Sequence, residues 1–97
     1  LAQAIATISA IQAAGLGNYI PSLFLGITEP DAPGRSNGLR ALFQSLSIPL
    51  LEHHTGIGGR FSCLTNVGLL PAMARGLDAR EIRAGARGIL QPMLDAA

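Results

Sequence analysis

A double glycine, an arginine and an aromatic residue stand in a row at Gly58-Gly59-Arg60-Phe61, with Ser62 next. Glycine has no Cβ, so the backbone of Gly58 and Gly59 can come close to a ligand. Arg60 sets a permanent, many-donor cation at that bare surface. A phosphate, a carboxylate or a developing enediolate would suit such a place. The pattern alone fits equally well a tight turn whose arginine pairs with a surface carboxylate. His53 and His54 precede the turn, and histidine is a common general acid or base, which makes them acid–base candidates. A loop histidine pair is more often solvated or structural, and no third and fourth ligand follow at zinc-type spacing. Glu29 and Asp31 could act as paired carboxylates, but Glu-Pro-Asp-Ala-Pro-Gly explains them as a turn.

Helices and strands must hold these residues. Leu1 to Ala14 carries Leu1, Ile5, Ile8 and Ile11 at helical spacing, and Gly15 and Gly17 stop it. Ser22 to Thr28 is a short apolar run of the buried, parallel type. Asn37 caps a predicted helix from Gly38 to about Leu46, with Leu39, Leu42, Phe43 and Leu46 inward. Ile48 to Glu52 reads as a second strand. His53 to Arg60 is a loop. Phe61 to about Arg75 is a predicted helix with Phe61, Leu64, Val67, Leu70 and Ala74 inward, kinked or broken at Pro71. Gly76 ends it, and a last helix runs from Asp78 or Ala79 to about Ala96 with Pro92 inside.

The order helix, strand, helix, strand, helix, helix argues for α/β architecture with a parallel sheet. Both strands then end on one side, the side where open α/β sheets bind ligands. Arg60, just ahead of a helix N-terminus, would add its charge to the helix dipole. Two strands make no stable sheet alone, so further strands are expected outside this chain. Ser62 is expected to cap or open the helix after Arg60, and Cys63 to be a small buried residue. Arg75, Arg80, Arg83 and Arg87 with Asp78 and Glu81 read as a solvated face with i,i+3 and i,i+4 pairs.

Composition narrows the function classes. The 97 residues are 48 % hydrophobic and only 13 % charged, where roughly a quarter charged is usual. Much of the surface is therefore expected to be covered. A net charge of +1 gives no basic footprint for nucleic acid. All seven basic residues are arginine. A single cysteine, Cys63, allows no internal disulfide and fits a reducing, cytoplasmic setting. No run approaches the roughly 18 apolar residues of a membrane span. The chain lacks an initiator Met and opens on Leu1 in apparent mid-helix, so an internal piece of a longer polypeptide is expected.

GIGGRFSCLTNVGLLPAMARGLD resembles the glucose-6-phosphate isomerase family. Members carry a Gly-Gly-Arg-Phe/Tyr-Ser signature followed by a small apolar helix rich in Gly and Leu. Here these are Gly58 to Ser62, then Val67-Gly68-Leu69-Leu70-Pro71 and Gly76-Leu77-Asp78. The upstream FLGITEP and the helix opening Asn-Gly-Leu-Arg-Ala-Leu resemble its bacterial branch. The resemblance extends over nearly the whole chain.

It implies part of a doubly wound sugar-isomerase (SIS) domain over residues 1–97. It implies reversible isomerisation of glucose 6-phosphate to fructose 6-phosphate through an enediolate, with no metal or organic cofactor. It assigns catalysis to Arg60, over the C1–C2 region, and close approach to the sugar to Gly58 and Gly59. The phosphate loop would lie before Leu1, and the glutamate, the ring-opening histidine and the late lysine in other segments. His53 and His54 inherit nothing. The chain alone is then expected to be inactive, and the full-length protein to be a homodimer. Two other readings stand beside it: a non-catalytic SIS-type phosphosugar-binding module, and the isomerase half of a transaldolase fusion enzyme.

Overall fold

Apolar spacing and glycine stops build the first helix as expected. In the computed structural model, which describes residues 1–97, α1 spans Ala2–Ala13. Gly15 takes a positive φ of 77° beyond its end. The Leu16 amide then reaches back to Ile11 O at 3.1 Å and the Gly15 amide to Gln12 O at 3.0 Å. These bonds satisfy carbonyls that the helix leaves open. Ile8 is buried and Ile11 half-buried, whereas Leu1 and Ile5 are exposed, Leu1 by 60 %. The apolar stripe is thus only partly used inside this chain.

The chain divides into two compact units, Leu1–Thr55 and Gly56–Ala97. In the first, a 3-10 turn (Gly17–Tyr19) leads into the short helix α2, Ile20–Leu23. The predicted strand from Ser22 is accordingly cut short, and β1 is only Gly26–Thr28. Pro21 accounts for the difference: its fixed φ suits the first turn of a helix, where it sits. The helix expected after Asn37 is α3, Gly38–Ser45, with Phe43 buried and Leu39, Leu42 and Leu46 half-buried. β2 is Leu50–Glu52, shorter than expected because Ile48 turns into the core and Pro49 only precedes the strand.

The strands pair in parallel, Gly26 with Leu50, Ile27 with Leu51 and Thr28 with Glu52. The ladder is flanked by Gly26 N to Pro49 O at 2.9 Å and His53 N to Thr28 O at 3.0 Å. Ile8, Ile20, Phe43 and Ile48 form the buried core beneath it. Phe24 and Phe43 meet at a tilted 59° with centroids 6.4 Å apart. Gly26 is needed for that contact. A Cβ there would lie 2.6 Å from Leu50 Cδ2 and 2.7 Å from Phe43 Cε2.

In the second unit, Gly59–Phe61 form a 3-10 turn, α4 spans Asn66–Ala74 and α5 spans Ala79–Asp95. The expected helix from Phe61 thus begins five residues late. Hydroxyls explain the delay: Ser62 Oγ donates to Gly59 O at 2.7 Å and Thr65 Oγ1 to Ser62 O at 2.6 Å. Such side-chain bonds give the backbone an alternative to the helix. Thr65 is then the cap, accepting from the Val67 amide at 3.4 Å. Pro71 lies inside α4, which runs through it to Ala74.

Gly76, at φ 86°, closes α4 as predicted, and Asp78 caps α5 by accepting from the Arg80 and Glu81 amides at 2.8 and 3.3 Å. α4 and α5 pack together. Of the inward face expected for α4, Leu70 is half-buried, but Phe61, Leu64, Val67 and Ala74 are exposed. α5 likewise exposes Ile89, Leu90, Met93 and Leu94, Ile89 by 74 %. The low charge content therefore surfaces as apolar area. No helix is long and apolar enough to cross a membrane.

Candidate functional site

At the carboxyl ends of the strands, Asn37 holds three elements together. Its Nδ2 donates to Thr28 Oγ1 at 2.7 Å and to Glu29 O at 2.9 Å. Its Oδ1 accepts from the Arg40 amide at 3.1 Å, capping α3, and its own amide donates to Asp31 Oδ1 at 2.9 Å. Arg40 completes the tie. Its Nη2 pairs with Glu52 Oε1 at 2.7 Å, and its Nη1 donates to Glu29 O at 3.3 Å. Thr28 and Glu52 are register partners, so Asn37 and Arg40 bolt both strand ends to the start of α3.

That network was only partly legible in the sequence. Asn37 was visible as a cap, but its reach to Thr28 and Glu29 was not. Arg40 and Glu52 are separated by a helix and a turn, and only the parallel register brings them together. Replacing Asn37 with Ala removes the cap and leaves Thr28 and Glu29 without those donors. We expect a loss of about 1–2 kcal/mol, read as a lower urea midpoint at unchanged slope.

A cleft of about 740 Å³ opens beside this network, lined by Leu1, Glu29, Asp31, Arg35, Asn37 and Thr55. Glu29 and Asp31 are turn residues, as expected. Ala32 and Arg35 exchange backbone hydrogen bonds of 3.3 and 2.9 Å, and Gly34 takes φ 72°. Asp31 spends its carboxylate on the Asn37 amide. His53 is half-buried, with its amide in the ladder and its Nδ1 buried without a hydrogen-bond partner. His54 is exposed.

In the second unit the Gly-Gly-Arg turn is built differently from the sequence expectation. Arg60 lies in the middle of the 3-10 turn, with five residues between it and Asn66, the first residue of α4, so it does not stand immediately ahead of that helix as expected. The turn is held by Phe61 N to Gly58 O at 2.9 Å and Ser62 N to Gly59 O at 3.3 Å. Ser62 caps no α-helix. It is 3 % exposed and its hydroxyl closes the turn onto Gly59. Cys63, expected to be buried, is exposed.

Neither glycine serves the turn's own conformation. Gly58 sits at φ −66°, ψ 151°, open to any residue, and Gly59 is not among the glycines of positive φ. A Cβ on either would meet nothing within 4 Å. Arg60 is exposed and makes no ion pair or hydrogen bond, so the alternative of a surface carboxylate partner is not what forms. Its Cζ lies 5.4 Å from the centroid of the Phe61 ring. Bare backbone and an uncompensated cation thus face outward on one turn.

Gly68 supports the turn from behind. A Cβ there would stand 2.6 Å from Cys63 Cα and 2.7 Å from its carbonyl carbon, so α4 touches the backbone of the 62–65 stretch directly. Among Arg75, Arg80, Arg83, Arg87, Asp78 and Glu81 none of the expected pairs forms. Asp78 caps α5 instead, and Arg80, Arg83 and Arg87 line a cleft with Leu64 and Leu90. No group of three His, Cys, Asp or Glu side chains gathers.

The chain is similar to glucose-6-phosphate isomerases over about half its length. It is 45 % identical to the enzyme of Carboxydothermus hydrogenoformans over 60 residues, which is 62 % of this chain and 12 % of that protein. It is 61 % identical to that of Exiguobacterium sibiricum over 45 residues, 46 % of this chain and 9 % of the relative. The enzyme of Alkaliphilus metalliredigens is 54 % identical over 49 residues, 50 % of this chain and 10 % of the relative. The matches thus cover less of the chain than the motif reading expected, and about a tenth of each relative. No family model matches the chain, and no solved structure matches it.

Proposed function

We propose that this chain is a segment of a glucose-6-phosphate isomerase, within a doubly wound SIS domain of the bacterial type. The reaction is the reversible interconversion of glucose 6-phosphate and fructose 6-phosphate, a step of glycolysis and gluconeogenesis. Arg60 stabilises the negative charge that develops on the C1–C2 oxygens as the enediolate forms. Gly58 and Gly59 let the sugar approach the backbone. The observation that carries this reading is the turn itself: an arginine without a carboxylate, beside two glycines that nothing inside the chain requires. A fixed guanidinium aimed at a developing oxyanion is worth about 3–4 kcal/mol at comparable sites. The short but strong similarity to named isomerases supports the same assignment.

The phosphate-binding loop and the proton-shuttling glutamate belong to other segments of the active protein, which we infer to be a cytoplasmic homodimer. Such a protein uses no metal or organic cofactor. The test is to express the complete reading frame around these residues and assay it with fructose 6-phosphate. We expect conversion to glucose 6-phosphate. A reading frame with no Ser/Thr-rich loop upstream and no Glu and His downstream, whose product converts nothing, would overturn the proposal.

A further inference from the structure

Phe61 is 71 % exposed, on a turn locked at both ends by backbone bonds and by the Ser62 hydroxyl. Exposure of that extent leaves the ring little packing role in this chain. Its one ring contact is the Arg60 guanidinium, 5.4 Å from its centroid. We propose that Phe61 is a positioning residue: its ring face holds the Arg60 cation over the turn without neutralising it, ready for an anion.

The physical case rests on what each kind of partner does to a guanidinium. A carboxylate would hold Arg60 firmly, as Glu52 holds Arg40 at 2.7 Å. It would also cancel the charge and occupy the N–H donors. A ring face attracts the cation through its quadrupole within about 6 Å and has no lone pairs for those donors to engage. The cation keeps its charge and its donor set. A long side chain otherwise loses rotamer freedom when an anion captures it, so one already restrained binds at lower cost. Adjacent glycines with no atom within 4 Å of a Cβ leave the approach to the pair open. The inference rests on the proposed phosphosugar reading for the identity of the anion, but not for the contact itself.

Two measurements on the complete protein that contains this segment separate these. The first is the NMR shift of the Arg60 side-chain protons, which a ring face moves upfield. We expect the shift in the native chain and in Phe61→Tyr, and its loss in Phe61→Leu with the backbone spectrum otherwise preserved. The second is affinity for 6-phosphogluconate, a sugar phosphate with a carboxylate at C1. Phe61→Leu should weaken it by about two- to fivefold, with Phe61→Tyr restoring it. Unshifted Arg60 protons in the native chain would overturn the proposal. So would equal affinity in Phe61→Leu and the native chain, which is the outcome if the ring is exposed only to pack against a neighbour. A ring shift that follows the residue at 61 while no variant binds the sugar phosphate upholds the Phe61–Arg60 pairing and counts against the phosphosugar reading.

Discussion

Replacing Arg60 with Ala in an isomerase that contains this segment is expected to lower kcat by about 10²–10³-fold. The loss should fall on kcat and kcat/KM together, with KM for the hexose phosphate nearly unchanged. An interaction made only as charge develops gives that signature, whereas one made equally to the ground state would raise KM alone. Nothing in the turn gives the truncation a structural cost. The side chain is exposed, makes no ion pair, and contacts only the Phe61 ring. Arg60→Lys should recover only part of the rate, since an ammonium keeps the charge but not the planar fork. Turnover at the native level in Arg60→Ala, with an unchanged circular-dichroism spectrum, would remove Arg60 from the mechanism.

The contrast between the chain's two structurally informative arginines shows what a sequence can carry. Arg40 and Arg60 look alike on paper, each near a glycine and a presumed helix start. Arg40 is neutralised by Glu52, a fact that depends on parallel strand register and on α3 lying against it. Arg60 meets no acid. Ion pairing between distant residues leaves no local signal, so the question of a carboxylate partner stayed open until the fold was in view.

Local signals carry into the structure where they agree with one another. Asn37 as cap, the Leu39/Leu42/Phe43/Leu46 spacing, the glycine stops at 15 and 76 and the start of the last helix at Ala79 all appear in the structure. Sequence pattern and structure part where a polar side chain or proline acts on the backbone beside it. Pro21 starts a helix in place of a strand, and the Ser62 and Thr65 hydroxyls delay α4. That delay sets Arg60 in a 3-10 turn, where a place directly before a helix was expected.

The same delay makes Gly68 the residue on which the turn depends. Because the chain does not enter the helix at Phe61, residues 62–65 must cross the first turn of α4. Gly68 is where the two backbones meet. Gly68→Ala would set a Cβ 2.6 Å from Cys63 Cα, and the obstructing atoms are backbone, which no rotamer change can move aside. We expect a loss of about 2–3 kcal/mol, at the upper end for overpacking, because the relief must come from the chain path itself. The damage should be directional. Amide exchange would rise first at residues 59–65, while the Leu1–Thr55 unit, with its own core, keeps its protection. In an active isomerase the variant should also lose kcat, since the arginine would no longer be held in one place. Gly58→Ala is the matched control. Its Cβ meets nothing within 4 Å inside the chain, so stability should stay within about 0.5 kcal/mol of native. If that variant nonetheless lowers kcat, the space above Gly58 belongs to the substrate. If Gly68→Ala proves as stable as the native chain, with exchange at 59–65 unchanged, then the Cys63 backbone does not run against α4 as described.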